Sequence, residues 1–229
     1  MFRATPFFVV AATLLAASAC APAAHAAEMI GACTIPQPIS SFERLYLGAD
    51  RDAHATRFDP ANEQAFLDLD RRLRANPDDV DARITRGYAL ARRGERTLSA
   101  ADYRRATKLA PHRTRIGWSE GWALWALGDP TCALNAWQRA GSLQGGDAFW
   151  LPYTLAMGYW AAGKKDVAIA YYHAAARSAP ERFGTLEAMN TYTQRWAPDE
   201  RRTMNDIASA AGVQPSSRFQ PPNWLPWTR

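Results

Sequence analysis

The residues that carry most enzyme chemistry are scarce or scattered in this chain. Its four histidines (His25, His54, His112, His173) and three cysteines (Cys20, Cys33, Cys132) fall in unrelated contexts, so no group of them has the spacing of a metal site. No serine sits in a strained strand-to-helix elbow, Cys132 has no histidine close by in sequence, and the glycines form no phosphate-cradling loop. Asp78, Asp79 and Asp81 read as helix-start residues suited to the positive end of a helix dipole rather than as an acid/base pair. These absences argue against an enzyme and call for no metal and no cofactor. Long apolar runs are missing too. The stretch from Phe7 to about Ala19 is shorter than the roughly 20 residues that a membrane-spanning helix needs, and no later segment reaches that length. No transmembrane span is expected.

What is present begins with an address. "MFRATPFFVVAATLLAASACAPAAHAAE" places Arg3 before an apolar stretch that is followed by small residues up to Ala24-His25-Ala26, the pattern of a secretory signal peptide over 1–26. A second reading is that "AASAC" resembles a lipoprotein lipobox, with Cys20 as the lipid-anchored first residue. The mature protein is therefore expected to be periplasmic or secreted or, on the second reading, a membrane-anchored lipoprotein. An oxidising compartment leaves two readings of Cys33 and Cys132: two unrelated thiols, or a disulfide. The disulfide would close a loop of about 100 residues and contribute about 4 kcal/mol on the chain-entropy model. The formal charge is +5, with arginine dense between Arg71 and Arg115. Export argues against nucleic acid as the partner, and the expectation is a solvated helical face suited to anionic partners such as lipid head groups.

The middle of the chain repeats. "RGYALARRGERTLSAADYRRATKLAP" (Arg86 to Pro111) lies over "EGWALWALGDPTCALNAWQRAGSLQG" (Glu120 to Gly145) in one register: Gly87 falls on Gly121, Leu90 on Leu124, Gly94 on Gly128, Tyr103 on Trp137 and Ala106 on Ala140. A third copy, "LAMGYWAAGKKDVAIAYYHAAARSAP", follows after one extra residue and puts Tyr159, Gly163, Ala168, Tyr172, Ala175 and Pro180 in the matching places. Searching for such periods comes first because a repeat decides the architecture. Small residues such as Ala133, Ala140, Ala168 and Ala175 let two helices approach, an aromatic fills the wedge between them, and a glycine ends the first helix of each pair.

This pattern resembles the tetratricopeptide repeat, a helix-turn-helix unit, over about 80–182. The departures are Arg83 and Arg86, where large apolar residues are usual, and Pro152 at the start of the third copy. The implied fold is all-α: a right-handed α-solenoid of about three tetratricopeptide-like helix pairs with flanking capping helices and irregular termini. The divisions are the signal peptide 1–26, an extended segment 27–58, a helical domain 59–211 and a proline- and tryptophan-rich tail 212–229. Within the domain the repeats fall at about 80–113, 114–148 and 149–182, with capping helices over 183–211. "PANEQAFLDLDRRLRANPDD" reads as the second helix of an incomplete leading unit.

At 100° per residue, Trp118, Trp122 and Trp125 fall within about 60° of one another and form one narrow stripe. The resemblance implies that first helices line a concave surface and that particular positions on them contact ligand. Carried over residue by residue, those positions hold Ile84, Tyr88, Trp118, Trp122, Trp125, Trp150, Tyr153, Met157 and Trp160. Leu124, Leu127 and Leu155 fall on other arcs, so the stripe is not expected to hold each helix pair together. A face this apolar left open to water marks an interaction site. The expected function is an exported scaffold or adaptor whose aromatic groove receives an extended apolar or proline-containing segment of a cell-envelope protein. Two other readings stay open: stacking on an envelope glycan such as peptidoglycan, and a structural subunit whose groove is filled by its own tail, "FQPPNWLPW", or by its N-terminal segment through Phe42, Leu45 and Tyr46.

Overall fold

A computed structural model describes residues 33–39, 42–53 and 61–214. All of them lie in the second of the chain's two compact units, 1–31 and 32–229. The signal peptide, Cys20 and the tail from 215 onward fall outside the described residues. Those described form ten helices and no regular strand. They are α1 (Glu63–Ala75), α2 (Val80–Arg92), α3 (Arg96–Leu109), α4 (Thr114–Ala126), α5 (Pro130–Leu143), α6 (Leu151–Ala161), α7 (Lys165–Ser178), α8 (Pro180–Phe183), α9 (Leu186–Thr193) and α10 (Pro198–Ala210).

The helices pack in consecutive pairs, α2 with α3, α4 with α5 and α6 with α7, and each pair packs on the next. The fold is all-α and solenoid-like. Local chemistry sets the boundaries. Asn62, Asp79, Asp129 and Thr185 cap their helices by accepting from the N–H three residues on, satisfying donors that a helix start leaves without a partner. At the other end, Gly94, Gly128 and Gly163 adopt φ of +81°, +76° and +76°. At each the chain turns so that Glu95, Asp129 and Lys164 donate back to the carbonyls of Leu90, Leu124 and Tyr159, at 2.9, 3.0 and 2.9 Å. Positive φ is open to glycine without the steric cost that a Cβ brings. The same stop in the same register is what makes the three pairs alike.

The extended segment is a strap. Cys33 forms a disulfide with Cys132 on α5, their Cα atoms 5.2 Å apart, which decides between the two readings of these cysteines. From there the carbonyls of Thr34 and Gln37 accept from Asn135 and Gln138 of α5, and that of Pro36 accepts from Tyr159 of α6. Phe42 packs edge-on against Tyr171 of α7 at 5.0 Å, and the Tyr46 N–H donates to Ser178. Gly48 then pairs with the α5–α6 loop in a single parallel bridge. Finally the Asp50 carboxylate accepts from Trp150 Nε1 (2.9 Å) and Thr114 Oγ1 (3.1 Å), and Asp52 meets Arg113 and the Arg115 N–H. Asp81, Arg115 and Trp150 hold one register position in the three repeats, the first two inside α2 and α4 and Trp150 just before α6. Arg115 bridges to Asp81 at 2.6 Å, so the strap's two carboxylates close a column that runs across all three pairs.

The arginine-dense region is largely engaged within the fold instead of forming a free basic face. Arg72 pairs with Asp79, Arg93 with Glu63, Arg96 with Asp129 and Arg105 with Asp78. The unusual Arg83 and Arg86 converge on Asp102, which is 1% exposed. Arg86 grips it with two parallel bonds of 2.7 and 2.8 Å and Arg83 adds a third of 2.9 Å. Arg86 also reaches Asp70 of α1 at 2.8 Å, tying the leading helix to the first pair.

Candidate functional site

The candidate residues come from three first helices. Tyr88 is on α2, Trp118, Trp122 and Trp125 are on α4, and Tyr153, Met157 and Trp160 are on α6, with Trp150 just before it. The repeat register aligns them in columns: Ile84 with Trp118 and Tyr153, Tyr88 with Trp122 and Met157, Ala91 with Trp125 and Trp160. Ile84, Trp118, Trp150, Tyr153 and Met157 are buried, whereas Tyr88, Trp122, Trp125 and Trp160 are half-buried.

Two sets of side chains cover this face. The first comes from within the pair. Trp122 and Trp125 lie 5.1 and 6.1 Å from the ring of Trp137 on α5, so the stripe does help hold α4 to α5, contrary to the arc argument. Gly121 is the reason: a Cβ there would come within 2.2 Å of Trp137 Nε1, and its absence lets the large wedge ring reach the neighbouring tryptophans. The second set comes from the end of the chain. Trp196, immediately before α10, sits 5.4 Å from Trp122, 5.5 Å from Tyr153 and 5.9 Å from Tyr192. Tyr192 and Phe183 complete the cluster around Tyr153. Such edge-on and tilted packing of rings is favourable beyond the area it buries.

Beyond Trp196, α10 packs on α6 and α7, with Met204 and Ile207 buried. Glu200 on its first turn lies 3.9 Å from Arg92 of α2 and accepts from the Ala197 N–H. Burial and the neighbouring Asp199 push the Glu200 carboxyl above the usual glutamate range, against the pull of Ala197 and Arg92. Burial, with Glu200 beside it, raises the Tyr88 phenol to about 12. The segment from Trp196 into α10 thus touches all three pairs.

The polar groups divide cleanly. Trp137 Nε1 donates to the Trp118 carbonyl at 3.2 Å, Trp150 Nε1 reaches Asp50, and the Tyr103 hydroxyl pairs with Ser119 at 2.8 Å. Trp118 Nε1 and Trp122 Nε1 are buried with no acceptor. Lys165 lies over the outer ring of the row, Trp160, at 3.4 Å. Among the described residues no cluster of histidine, cysteine and acidic side chains is placed to hold a metal, and no helix is long and apolar enough to cross a membrane.

The sequence pointed to the face but not to Trp196, Tyr192 or Glu200. The available signal was Tyr192 and Trp196 at helical spacing just before the proline that starts α10. No protein-family model matches the chain, and no curated protein matches it either.

Proposed function

We propose that this protein is an exported, non-enzymatic interaction scaffold of the tetratricopeptide-like type. Its first-helix face takes up an extended apolar or proline-containing segment of a cell-envelope protein. The observation that supports this reading is the seat of Trp196: an aromatic side chain from elsewhere in the chain occupies the space between Trp122 and Tyr153. A surface that accepts one aromatic in this way has the shape and chemistry to accept another. Stacking on a sugar asks for open ring faces, and here the tryptophans meet one another edge-on, which favours a peptide over a glycan.

The test is a fluorescence-anisotropy titration of the mature protein with labelled proline- and aromatic-bearing envelope peptides, beside peptidoglycan fragments. Trp122→Ala should weaken peptide binding by about 2 kcal/mol, the loss typical of a central aromatic anchor. An unchanged dissociation constant in a protein that keeps its helical circular dichroism removes Trp122 from the site. Saturable binding of the glycan fragments alone defeats the scaffold reading.

A further inference from the structure

We infer that α10 is a displaceable occupant of the first-helix face, and that what replaces it is an extended, proline-bearing chain whose carbonyl oxygens accept from Trp118 and Trp122. This rests on the reading of that face as a docking surface.

The placement of α10 is the first reason. A stack of helix pairs is closed when its last pair is covered, and α8 and α9 already pack beside α7 through Phe183 and Met189, which touch the Tyr172 hydroxyl. A further helix added to the stack would continue away from it. Instead the chain doubles back, so that Trp196 reaches α4 and Glu200 reaches α2. Closing the stack accounts for the packing of α10 on α6 and α7, and does not account for the contacts of Trp196 with α4 and of Glu200 with α2.

The second reason is an unmet demand in the stripe that Trp196 touches. Trp118 is 9% exposed, its ring centre 6.4 Å from that of Trp122, and the indole N–H of each is buried without an acceptor. By contrast, the N–H groups of Trp137 and Trp150 have acceptors, in the Trp118 carbonyl and Asp50. A helix cannot cure it, because its backbone carbonyls are consumed by its own i to i−4 bonds. Met204, Ile207 and Ala208, the apolar side chains that α10 buries against the rest of the fold, offer no oxygen in any case. Its one buried acceptor, Glu200, is engaged by the Ala197 N–H. A buried donor left unpaired loses its bond to water without replacement.

The third reason is what would cure it. Two donors with no free acceptor beside them select a chain that brings acceptors without donors. Proline has a backbone carbonyl and no N–H. A polyproline-type segment leaves its carbonyls unpaired and pointing outward, and it loses little entropy against aromatic walls. "FQPPNWLPW", residues 219–227 of this chain, has that composition and supplies the probe.

The experiment compares binding of a fluorescein-labelled FQPPNWLPW peptide to the full mature chain and its variants, with amide exchange read in parallel. The tethered copy of this sequence is common to every protein compared. Trp196→Ala should speed exchange in α10 while leaving α4–α7 protected, and should bind the peptide at least about tenfold more tightly than wild type. Adding Trp122→Phe, which keeps a ring but removes the N–H, should cancel most of that gain. Should Trp196→Ala fail to fold, Trp196→Leu retains apolar volume and carries the same comparison. Equal affinity for wild type and the Trp196 variant would overturn the displacement and leave the docking face standing. No binding by any variant, with α10 exchange raised, overturns the docking face itself. A Trp122→Phe variant that loses nothing sinks the acceptor argument.

Discussion

The first and second helix pairs share a backbone and differ in nearly everything between their helices. In α2–α3 the space around Asp102 is filled by ions, with Arg83 and Arg86 closing on one buried carboxylate. In α4–α5 the same register holds Ala136 in place of Asp102 and Gly117 in place of Arg83, and the helices meet over small residues. A Cβ on Gly117 would lie 3.1 Å from the Ala140 methyl. The wedge aromatic changes in step: Tyr103 opposite Gly87, Trp137 opposite Gly121. The turn glycines and their return bonds define the unit, and the filling is free to vary as long as volume and charge are balanced within each pair.

The comparison can be broken most sharply at the glycines. Gly121→Ala drives a methyl into the rigid indole of Trp137 and should cost about 3 kcal/mol, the upper end of overpacking penalties, whereas Gly87→Ala meets the edge of Tyr103 at 2.9 Å and should cost about 1 kcal/mol. Urea melts of the two variants settle it; equal losses would mean that the pairs are filled to the same tightness. Next in size, Asp102→Ala leaves two partly exposed guanidiniums facing each other and should cost about 2 kcal/mol, less than a fully buried pair because water reaches the arginines. Replacing Asp102, Arg83 and Arg86 together by apolar residues should recover most of the loss. If it does not, the ions define the first pair's geometry instead of merely filling it.

The smallest effect concerns pH. Burial alone would raise the Asp52 carboxyl, but hydrogen bonds from Arg113 and the Arg115 N–H outweigh it and hold the group below the usual aspartate value. A depressed folded value means a contribution present above the unfolded value, near 3.9, and lost as pH falls through the folded one. Asp52→Asn should therefore lower stability at pH 7 by under about 1 kcal/mol, and the deficit should shrink as pH falls below the unfolded value, read from melting temperatures between pH 7 and pH 2. A constant deficit at both ends would show that Asp52 acts by shape instead of charge.

Much of this architecture could be read from one chain. The register of the three pairs, the leading helix, the non-helical strap and the closing helices follow from periodicity, because glycine, alanine and aromatic positions recur together. The readings that failed depend on contacts far apart in sequence. Arg83 and Arg86 looked like departures because their partner, Asp102, lies about half a repeat away, on the other helix of the pair. The arginines are for the most part exposed or half-buried, as a solvated face requires, but their pairing with carboxylates went unread because ion pairs leave no periodic trace. Angular position places the three tryptophans on one arc of α4, yet their contacts with Trp137 depend on the missing Cβ of Gly121, a matter of ångströms that angular position cannot express. Least legible was the direction of α10: composition marks a helix, and only Trp196 and Glu200 decide where it lies.

The disulfide has a mechanical consequence. Cys33 and Cys132 are 99 residues apart in sequence, so tension arriving at the strap from its N-terminal side passes through the sulfur bond directly into α5. The polypeptide between them, which includes α1 through α4, lies outside the load path, and roughly 300 Å of contour length cannot be paid out while the bond is intact. If the chain is tethered at its N-terminal end, a pull is felt first by α5 to α10, and the ion-paired first helix pair hangs as an unstretched side loop.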